Sequence, residues 1–185
     1  MYRILLVDDE INVLSALKRS LQRIEFDELD SERPEIETFV SARQALARVR
    51  HAPVDLIISD FRMPEMSGIE FLTEAVQAQP DVARLVLSGN ADLDAVVNAI
   101  NKVQIYRFIA KPWHDFELKT AVVQSLAARS LVMENRRLAD IVRKQYGKIS
   151  RREAELRRLE AESPGITRLK LSPDGSILLD EDDDF

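Results

Sequence analysis

The sequence predicts an α/β fold, a five-stranded doubly wound parallel sheet with helices on both faces. Short apolar runs rich in Val, Ile and Leu alternate with stretches of helical period, which is typical of repeated strand–helix units. The middle runs lack polar alternation, as expected of strands that are covered on both sides. These observations predict one domain in residues 1–125 of the 185-residue chain, followed by an extension.

Four of the five predicted strands contain a short apolar run, the second alternates polar and apolar residues, and a charged or turn-forming residue follows each strand. Such runs are too short for helices, and their β-branched residues favour strands. The strands are expected at Arg3 to Val7, Glu35 to Val40, Asp55 to Ser59, Arg84 to Ser88, and Ile105 to Ala110.

Helices are predicted between the strands, because apolar residues recur there at the spacing that buries one helix face. A fifth helix follows Pro112. The four earlier stripes are Val13, Leu14, Leu17 and Leu21; Ala42, Ala45, Leu46 and Val49; Ile69, Phe71, Leu72 and Val76; and Ala95, Val96, Ala99 and Ile100.

Polar side chains stand at the ends of four predicted strands. Asp8 and Asp9 follow the first strand, and Asp60 follows the third. Ser88 ends the fourth strand, and Lys111 follows the fifth. Ligands of open parallel sheets bind outside the carboxyl ends of the strands, so these side chains are expected to share one pocket.

This set of side chains fits phosphoryl transfer. The carboxylates offer hard oxygen ligands, for which Mg²⁺ is the natural cation. Asp60 is the candidate nucleophile, since a carboxylate can attack phosphorus to form an acyl phosphate. The Lys111 ammonium and the cation would hold the phosphoryl oxygens, and Ser88 would donate a hydrogen bond. Taken singly, such residues are more often helix caps or solvated charges, so the prediction depends on their joint order.

Four motifs make the first two thirds of the chain recognisable as a family. In order and spacing they resemble the receiver domain of bacterial two-component response regulators, over about residues 1–125. Receivers attached to HD-GYP cyclic di-GMP phosphodiesterases and to some transcriptional activators are the most similar. The motifs are Asp8-Asp9-Glu10, the segment Asp60 to Glu70, Leu87-Ser88-Gly89 and Lys111-Pro112-Trp113.

The resemblance implies a flavodoxin-like fold, a sensor histidine kinase as partner, and Mg²⁺ as cofactor. It implies a phosphoacceptor that assists its own phosphorylation and dephosphorylation, with no separate catalytic domain, and a cis peptide between Lys111 and Pro112. The implied roles are Asp60 as phosphoacceptor, assisted in catalysis by Lys111 and Ser88; Asp8, Asp9, Asp60 and the Arg62 carbonyl as metal ligands; and Ser88 and Phe108 as the switch pair.

Several positions depart from the family pattern or vary within it. Phe26 to Pro34 forms a longer connection than is usual, and Val103 stands where Gly is common. Arg62 and Asn90 resemble the variable positions that tune the lifetime of the phosphoryl group. Phe108 has no hydroxyl, so a role as a core aromatic is equally open to it.

The remaining chain is predicted to be a helical extension with two short appendages. Residues 126–162 form a long helix with the four-three seam of a coiled coil. Pro164 and Gly165 end this helix, and residues 163–179 are expected to form a β-hairpin. Residues 180–185 are an acidic tail.

The helical extension is predicted to form a homodimer that phosphorylation tunes. Asn135 on the seam favours two strands in fixed register, and Lys148 and Glu153 would attract each other between chains. Gln145 and Arg152 weaken the same seam. A helix that folds back on its own chain or docks on another protein is the alternative.

Charge distribution bears on the other partners. Residues 1–128 carry a net charge of −6, residues 129–162 carry +4, and residues 180–185 carry −5. We do not expect nucleic acid as a partner, because the basic residues of the extension spread around the helix. A nucleic-acid-binding regulator and a phosphorelay adaptor stay as alternatives. No cysteine, signal peptide or long apolar run is present, so we expect a cytoplasmic protein without membrane contact.

Overall fold

The computed structural model describes residues 1–24, 33–89 and 105–163. Five parallel strands form one sheet with the spatial order β2-β1-β3-β4-β5, so the predicted doubly wound sheet is confirmed. The observed bounds lie within two residues of the predicted ones. The strands are β1 (Arg3–Val7), β2 (Glu35–Phe39), β3 (Leu56–Asp60), β4 (Ala83–Ser88) and β5 (Arg107–Ala110).

Four helices lie within the described residues. The helical stripe predicted at Ala95 to Ile100 falls outside them, as do most of the connection from Phe26 to Pro34, the variable position Asn90, the departure at Val103, the hairpin after Ser163 and the acidic tail. The long C-terminal helix is confirmed as one continuous element that passes through Gly147. The helices are α1 (Ile11–Gln22), α2 (Ala42–His51), α3 (Gly68–Ala78) and α4 (Asp115–Glu162).

The sheet separates two hydrophobic clusters, because successive side chains of a strand point to opposite faces. In β1, Ile4 and Leu6 pack with α1 and α4, while Leu5 and Val7 pack with α2 and α3. The same alternation runs through β3 and β4. Helices therefore cover both faces, which explains why the strands read as continuous apolar runs.

Helix α4 joins the core through its first turns and then through two polar contacts. Leu126 is fully buried, in the same cluster as β1 and β3. One turn later, an Arg129 guanidinium nitrogen lies 2.7 Å from a carboxylate oxygen of Asp55, and the Ser130 hydroxyl lies 3.0 Å from that of Tyr2. These contacts hold α4 against the amino ends of β1 and β3 as far as residue 130.

The chain divides into two compact units, Met1–Glu134 and Asn135–Phe185. The first contains the sheet and both hydrophobic clusters. In the second, the described residues form the distal part of α4, which carries exposed apolar side chains such as Leu138, Val142 and Ile149. Within the described ranges, no helix has the length and apolarity needed to span a bilayer.

Candidate functional site

The register of the sheet brings the carboxyl ends of the central strands to one level. Val7 of β1 lies beside Ser59 of β3, and Asp60 lies beside Leu87 of β4. Ser88 lies beside Ala110 of β5. The residues that follow these strands therefore surround a single crevice at one edge of the sheet.

The period of two along each strand then decides which side chains meet. Asp8 continues the face of Ile4 and Leu6, and Asp60 the face of Leu56 and Ile58, which is the side of the sheet covered by α1 and α4. Lys111 follows Ile109 on that same face. Three of the predicted site residues thus project to one side of the sheet.

The Lys111 ammonium joins the two carboxylates. Its Nζ lies 2.7 Å from Oδ2 of Asp8 and also forms a salt bridge with Oδ1 of Asp60. Asp8 is fully buried, Asp60 is 7% exposed, and the Lys111 side chain is 22% exposed. The structure therefore brings together Asp8, Asp60 and Lys111 as the sequence predicts.

Backbone amides hold the remaining carboxylate oxygens. The amide of Glu10 donates to Oδ1 of Asp8 at 2.9 Å, and the amide of Arg62 donates to Oδ2 of Asp60 at 2.8 Å. Both amides lie two residues after the carboxylate that they contact, so each loop turns back on its own strand end. Both carboxylates are thereby fixed in orientation.

Burial and charge act in opposite directions on the titration of this cluster. Burial raises the pKa of the Asp8 carboxyl above its usual value, although hydrogen bonds from Lys111 and from the Glu10 amide act against it. Burial also opposes the charge of Lys111, but its hydrogen bonds to Asp60 and Asp8 prevail and raise the pKa of the ammonium. Lys111 therefore remains charged at neutral pH.

The raised pKa of Asp8 predicts a pH-dependent effect of Asp8→Asn on stability. The folded protein holds the Asp8 proton more tightly than the unfolded chain does. This carboxyl therefore stabilises the fold at pH values below the usual pKa of Asp, and the contribution is lost as the pH rises through the raised pKa. Without metal, Asp8→Asn should raise the free energy of unfolding at about pH 7, and the gain should shrink at about pH 4. Urea denaturation of wild type, Asp8→Asn and the exposed control Asp140→Asn measures this, and equal stability of all three at neutral pH would contradict it.

The other predicted site residues lie around this cluster, and Arg62 and Ser88 contact it through backbone groups. Asp9 is exposed, and so is the Arg62 side chain. Ser88 is buried at the end of β4, and its backbone carbonyl accepts a hydrogen bond from the Lys111 amide at 2.8 Å. Phe108 is half-buried and packs against the cluster of α2 and α3, on the opposite face of the sheet from Lys111. The Lys111–Pro112 peptide bond is cis, as the resemblance implies.

Gly68 supports the site in a way that the sequence analysis missed. A Cβ atom at this position would lie 1.9 Å from the backbone oxygen of Asp60, so the first turn of α3 approaches the end of β3 closely. The Gly68 amide also donates to the Phe61 carbonyl at 3.0 Å. The signal in the sequence was a glycine just before the predicted helical stripe, within the motif that contains Asp60.

The start of α3 is fixed by reciprocal capping. The Glu70 amide donates to the Ser67 hydroxyl at 3.2 Å, and the Ser67 amide donates to a Glu70 carboxylate oxygen at 2.9 Å. This capping box satisfies two backbone donors that a helix start otherwise leaves open. The position at which the loop after Asp60 enters α3 is therefore fixed.

The donor set suits Mg²⁺ bound by few protein ligands. Among the described residues, no group of three or more His, Cys, Asp or Glu side chains is placed to hold a metal together. Mg²⁺ usually keeps several waters and takes only one or two carboxylates, and Asp8 and Asp60 supply two buried ones. The two carboxylates therefore fit the cation, while the exposed Asp9 would act at the rim of the site.

Comparison with known families agrees with this geometry. The family model of the response regulator receiver domain matches residues 4–123. The chain belongs to this family. Its relatives include regulators of transcription and a protein that contains an HD domain.

Two solved structures and one curated relative illustrate the similarity. The hydrogenase transcriptional regulatory protein HoxA of Cupriavidus necator is 36% identical over 73% of this chain and 26% of its own length. A protein from Neptuniibacter caesariensis is 40% identical with a TM-score of 0.65, covering 72% of this chain and 93% of that one. The receiver domain of an HD domain-containing protein from Pseudomonas fluorescens Pf-5 is 33% identical with a TM-score of 0.61, over 70% and 97% of the two chains. The chain spans about a quarter of the length of the first curated relatives it matches.

Proposed function

We propose that the chain is a phosphorylation-controlled response regulator in which Asp60 accepts a phosphoryl group from a sensor histidine kinase. The observation that carries this proposal is the Lys111 ammonium, which bonds both buried carboxylates at the end of the sheet. An ammonium in this place can receive the negative charge of a phosphoryl group on Asp60. Membership of the receiver family supports the same function.

The proposed reaction is a phosphoryl exchange between two side chains. An oxygen of the ionised Asp60 carboxylate attacks phosphorus, the bond between phosphorus and the donor's histidine nitrogen breaks, and that nitrogen keeps the bonding electron pair. The product on this chain is an acyl phosphate. The Arg62 amide holds one oxygen of Asp60, and Lys111 holds the other, so the nucleophile is oriented before the donor arrives.

Lys111 is the residue that stabilises the developing charge. Charge spreads over the equatorial phosphoryl oxygens in the transition state, and a preorganised cation there lowers the barrier. Once Asp60 is phosphorylated, the Lys111 ammonium can turn from the Asp60 carboxylate to the phosphoryl oxygens while keeping its 2.7 Å contact with Asp8. Ser88, which ends β4, is the proposed hydroxyl donor to the attached group.

Mg²⁺ is the proposed cofactor, with Asp8, Asp60 and the Arg62 carbonyl as ligands and Asp9 contributing from the rim of the site. The carboxylates and the phosphoryl group together carry more negative charge than the Lys111 ammonium can balance, and a bound cation would neutralise the remainder. The protein contributes the two buried carboxylates in fixed orientations. We propose Ser88 and Phe108 as the switch pair that responds to phosphorylation of Asp60.

The output is proposed to pass through residues 126–162, which would associate as a homodimer. Apolar side chains of α4 such as Leu138, Val142 and Ile149 are about half exposed. Sedimentation of the full chain tests this part. A dimer mass at micromolar concentration supports it, while a monomer at every accessible concentration removes it.

Substitution of the phosphoacceptor tests the proposed reaction. Asp60→Asn keeps the shape of the side chain but removes the ionised nucleophile, so acid-labile phosphorylation by a small-molecule phosphodonor should be lost. Asp140→Asn is the matched control, because Asp140 is exposed on α4, where it pairs with Arg143 at 3.1 Å. Label that survives in Asp60→Asn at the wild-type level would refute the assignment of Asp60.

A further inference from the structure

The distal part of α4 presents a row of apolar side chains that nothing in the described chain covers. Leu138, Val142, Ile149 and Leu156 are each about half exposed although they are aliphatic. They lie on the four-three seam, so they share one side of the helix. Building on the proposed homodimer, we propose that a second copy of this chain packs here in parallel and in register, as a two-stranded coiled coil.

The residue types on the two rows of the seam favour two parallel strands. One row, position a of the heptad, carries the β-branched Val142 and Ile149, and the other row, position d, carries Leu138 and Leu159. In parallel dimers, β-branched residues at a and Leu at d fit the geometry of two strands and disfavour larger bundles. The distribution of side-chain shapes thus specifies both the number of strands and their direction.

Asn135 adds information about register. It is the first a position of the seam, two heptads before Ile149. In a parallel arrangement without stagger, Asn135 meets its own copy, and the two amides can bond each other within an apolar interface. Any shift of register would leave a buried amide against an aliphatic side chain at a free-energy cost.

Flanking residues discriminate between the two directions. In a parallel pair, Lys148 faces Glu153 of the other strand, and Ile141 faces Tyr146. In an antiparallel pair with the same overlap, Lys148 would face Ile141. Glu134 would then face Glu155. Charge complementarity therefore supports the parallel arrangement.

One pairing in the parallel arrangement is unfavourable, and the helix itself reduces its effect. Glu155 would face Glu160 of the other strand. Within its own helix, however, Glu155 is paired with the Arg158 guanidinium at 3.3 Å, which also lies 3.7 Å from Glu162. This local cation lowers the repulsion that Glu155 would exert across the interface.

The coiled-coil seam of α4 is weaker than a seam of the same length with an apolar residue at every a and d position. Gln145 and Arg152 occupy two of the d positions, where Leu packs best. If the strands are parallel and in register, each of these residues meets its own copy, so one substitution alters two facing side chains. Gln145→Leu should therefore lower the dimer dissociation constant by about tenfold or more.

Single cysteines provide a direct test of direction, because the natural chain contains none. Leu138→Cys at a d position would place two thiols opposite each other in a parallel dimer, within the distance that a disulfide needs. Ala154→Cys on the opposite side of the helix is the matched control. Under mild oxidation, Leu138→Cys should crosslink at least about tenfold faster than Ala154→Cys.

The outcomes separate the direction of the dimer from its existence. If the full chain sediments as a dimer but Leu138→Cys crosslinks no faster than Ala154→Cys, the parallel register is wrong while the homodimer stands. An antiparallel dimer with the overlap considered above would instead crosslink a mixture of Leu138→Cys and Ile149→Cys chains, since a d position then opposes an a position. If the chain is a monomer throughout and Gln145→Leu does not change that, both the homodimer and its register are overturned.

Discussion

Gly68→Ala is expected to destabilise the unit Met1–Glu134 by about 3 kcal/mol or more, one of the largest effects available to a single methyl group. The added Cβ would lie 1.9 Å from the backbone oxygen of Asp60 and 3.0 Å from the Ser59 hydroxyl. This oxygen belongs to the last residue of a central strand, which pairing with Leu87 of β4 holds in register, so α3 must shift away from β3. The shift would pull on the loop whose Arg62 amide holds the Asp60 carboxylate, so phosphorylation should fall together with stability.

Gly147→Ala is the matched control, because nothing lies within 4 Å of a Cβ built at Gly147. This residue lies inside α4, where Ala is preferred over Gly by about 0.5–1 kcal/mol. Urea denaturation followed by circular dichroism should therefore show opposite signs for the two substitutions. A wild-type midpoint for Gly68→Ala would contradict the close approach of α3 to the end of β3.

Lys111→Met is expected to abolish efficient phosphoryl transfer and to destabilise the metal-free protein. The variant keeps an apolar stem of similar length but leaves the buried Asp8 and Asp60 carboxylates without their shared cation. Removing one partner of a buried ion pair costs several kcal/mol, and the partial exposure of Lys111 reduces this to about 2–3 kcal/mol. Loss of one preorganised charge at the reacting group should lower the rate of phosphorylation by about a hundredfold or more.

The destabilisation by Lys111→Met should depend on pH and on Mg²⁺. Burial raises the pKa of the Asp8 carboxyl, so this group takes up a proton at acid pH, the missing cation matters less, and the variant should approach wild type. Added Mg²⁺ should restore part of the loss at neutral pH, since it binds the folded state. Thermal unfolding of Lys111→Met against Lys144→Met, which removes an exposed lysine of α4, measures both effects. A loss that is the same at acid and neutral pH would show that packing of the lysine stem, not its charge, is responsible.

Much of the site follows from the period of the strands and the direction of the sheet. Parallel strands bring Asp8, Asp60 and Lys111 to one edge, and their positions relative to Ile4, Leu56 and Ile109 put them on one face. The order of the motifs in the sequence therefore suffices to predict that the three charges meet.

Features that depend on backbone distance were beyond the reach of the sequence. The requirement for glycine at position 68 comes from the separation between α3 and the Asp60 carbonyl, which no pattern of residue types records. The Asp55–Arg129 contact joins residues more than seventy positions apart on elements whose relative placement is set by the whole core. The seam of α4 was predicted from its period and lies on a helix, as expected.

The contacts of Arg129 and Ser130 have a consequence for exchanging this domain between proteins. The family match ends at residue 123, but Leu126 is fully buried and Arg129 still holds Asp55 at 2.7 Å. A chimera joined at residue 123 would replace Leu126, whose side chain packs in the core with β1 and β3. A junction after Glu134 preserves the complete unit and also keeps the heptad phase of α4, so a foreign helix grafted there in phase would inherit a continuous seam.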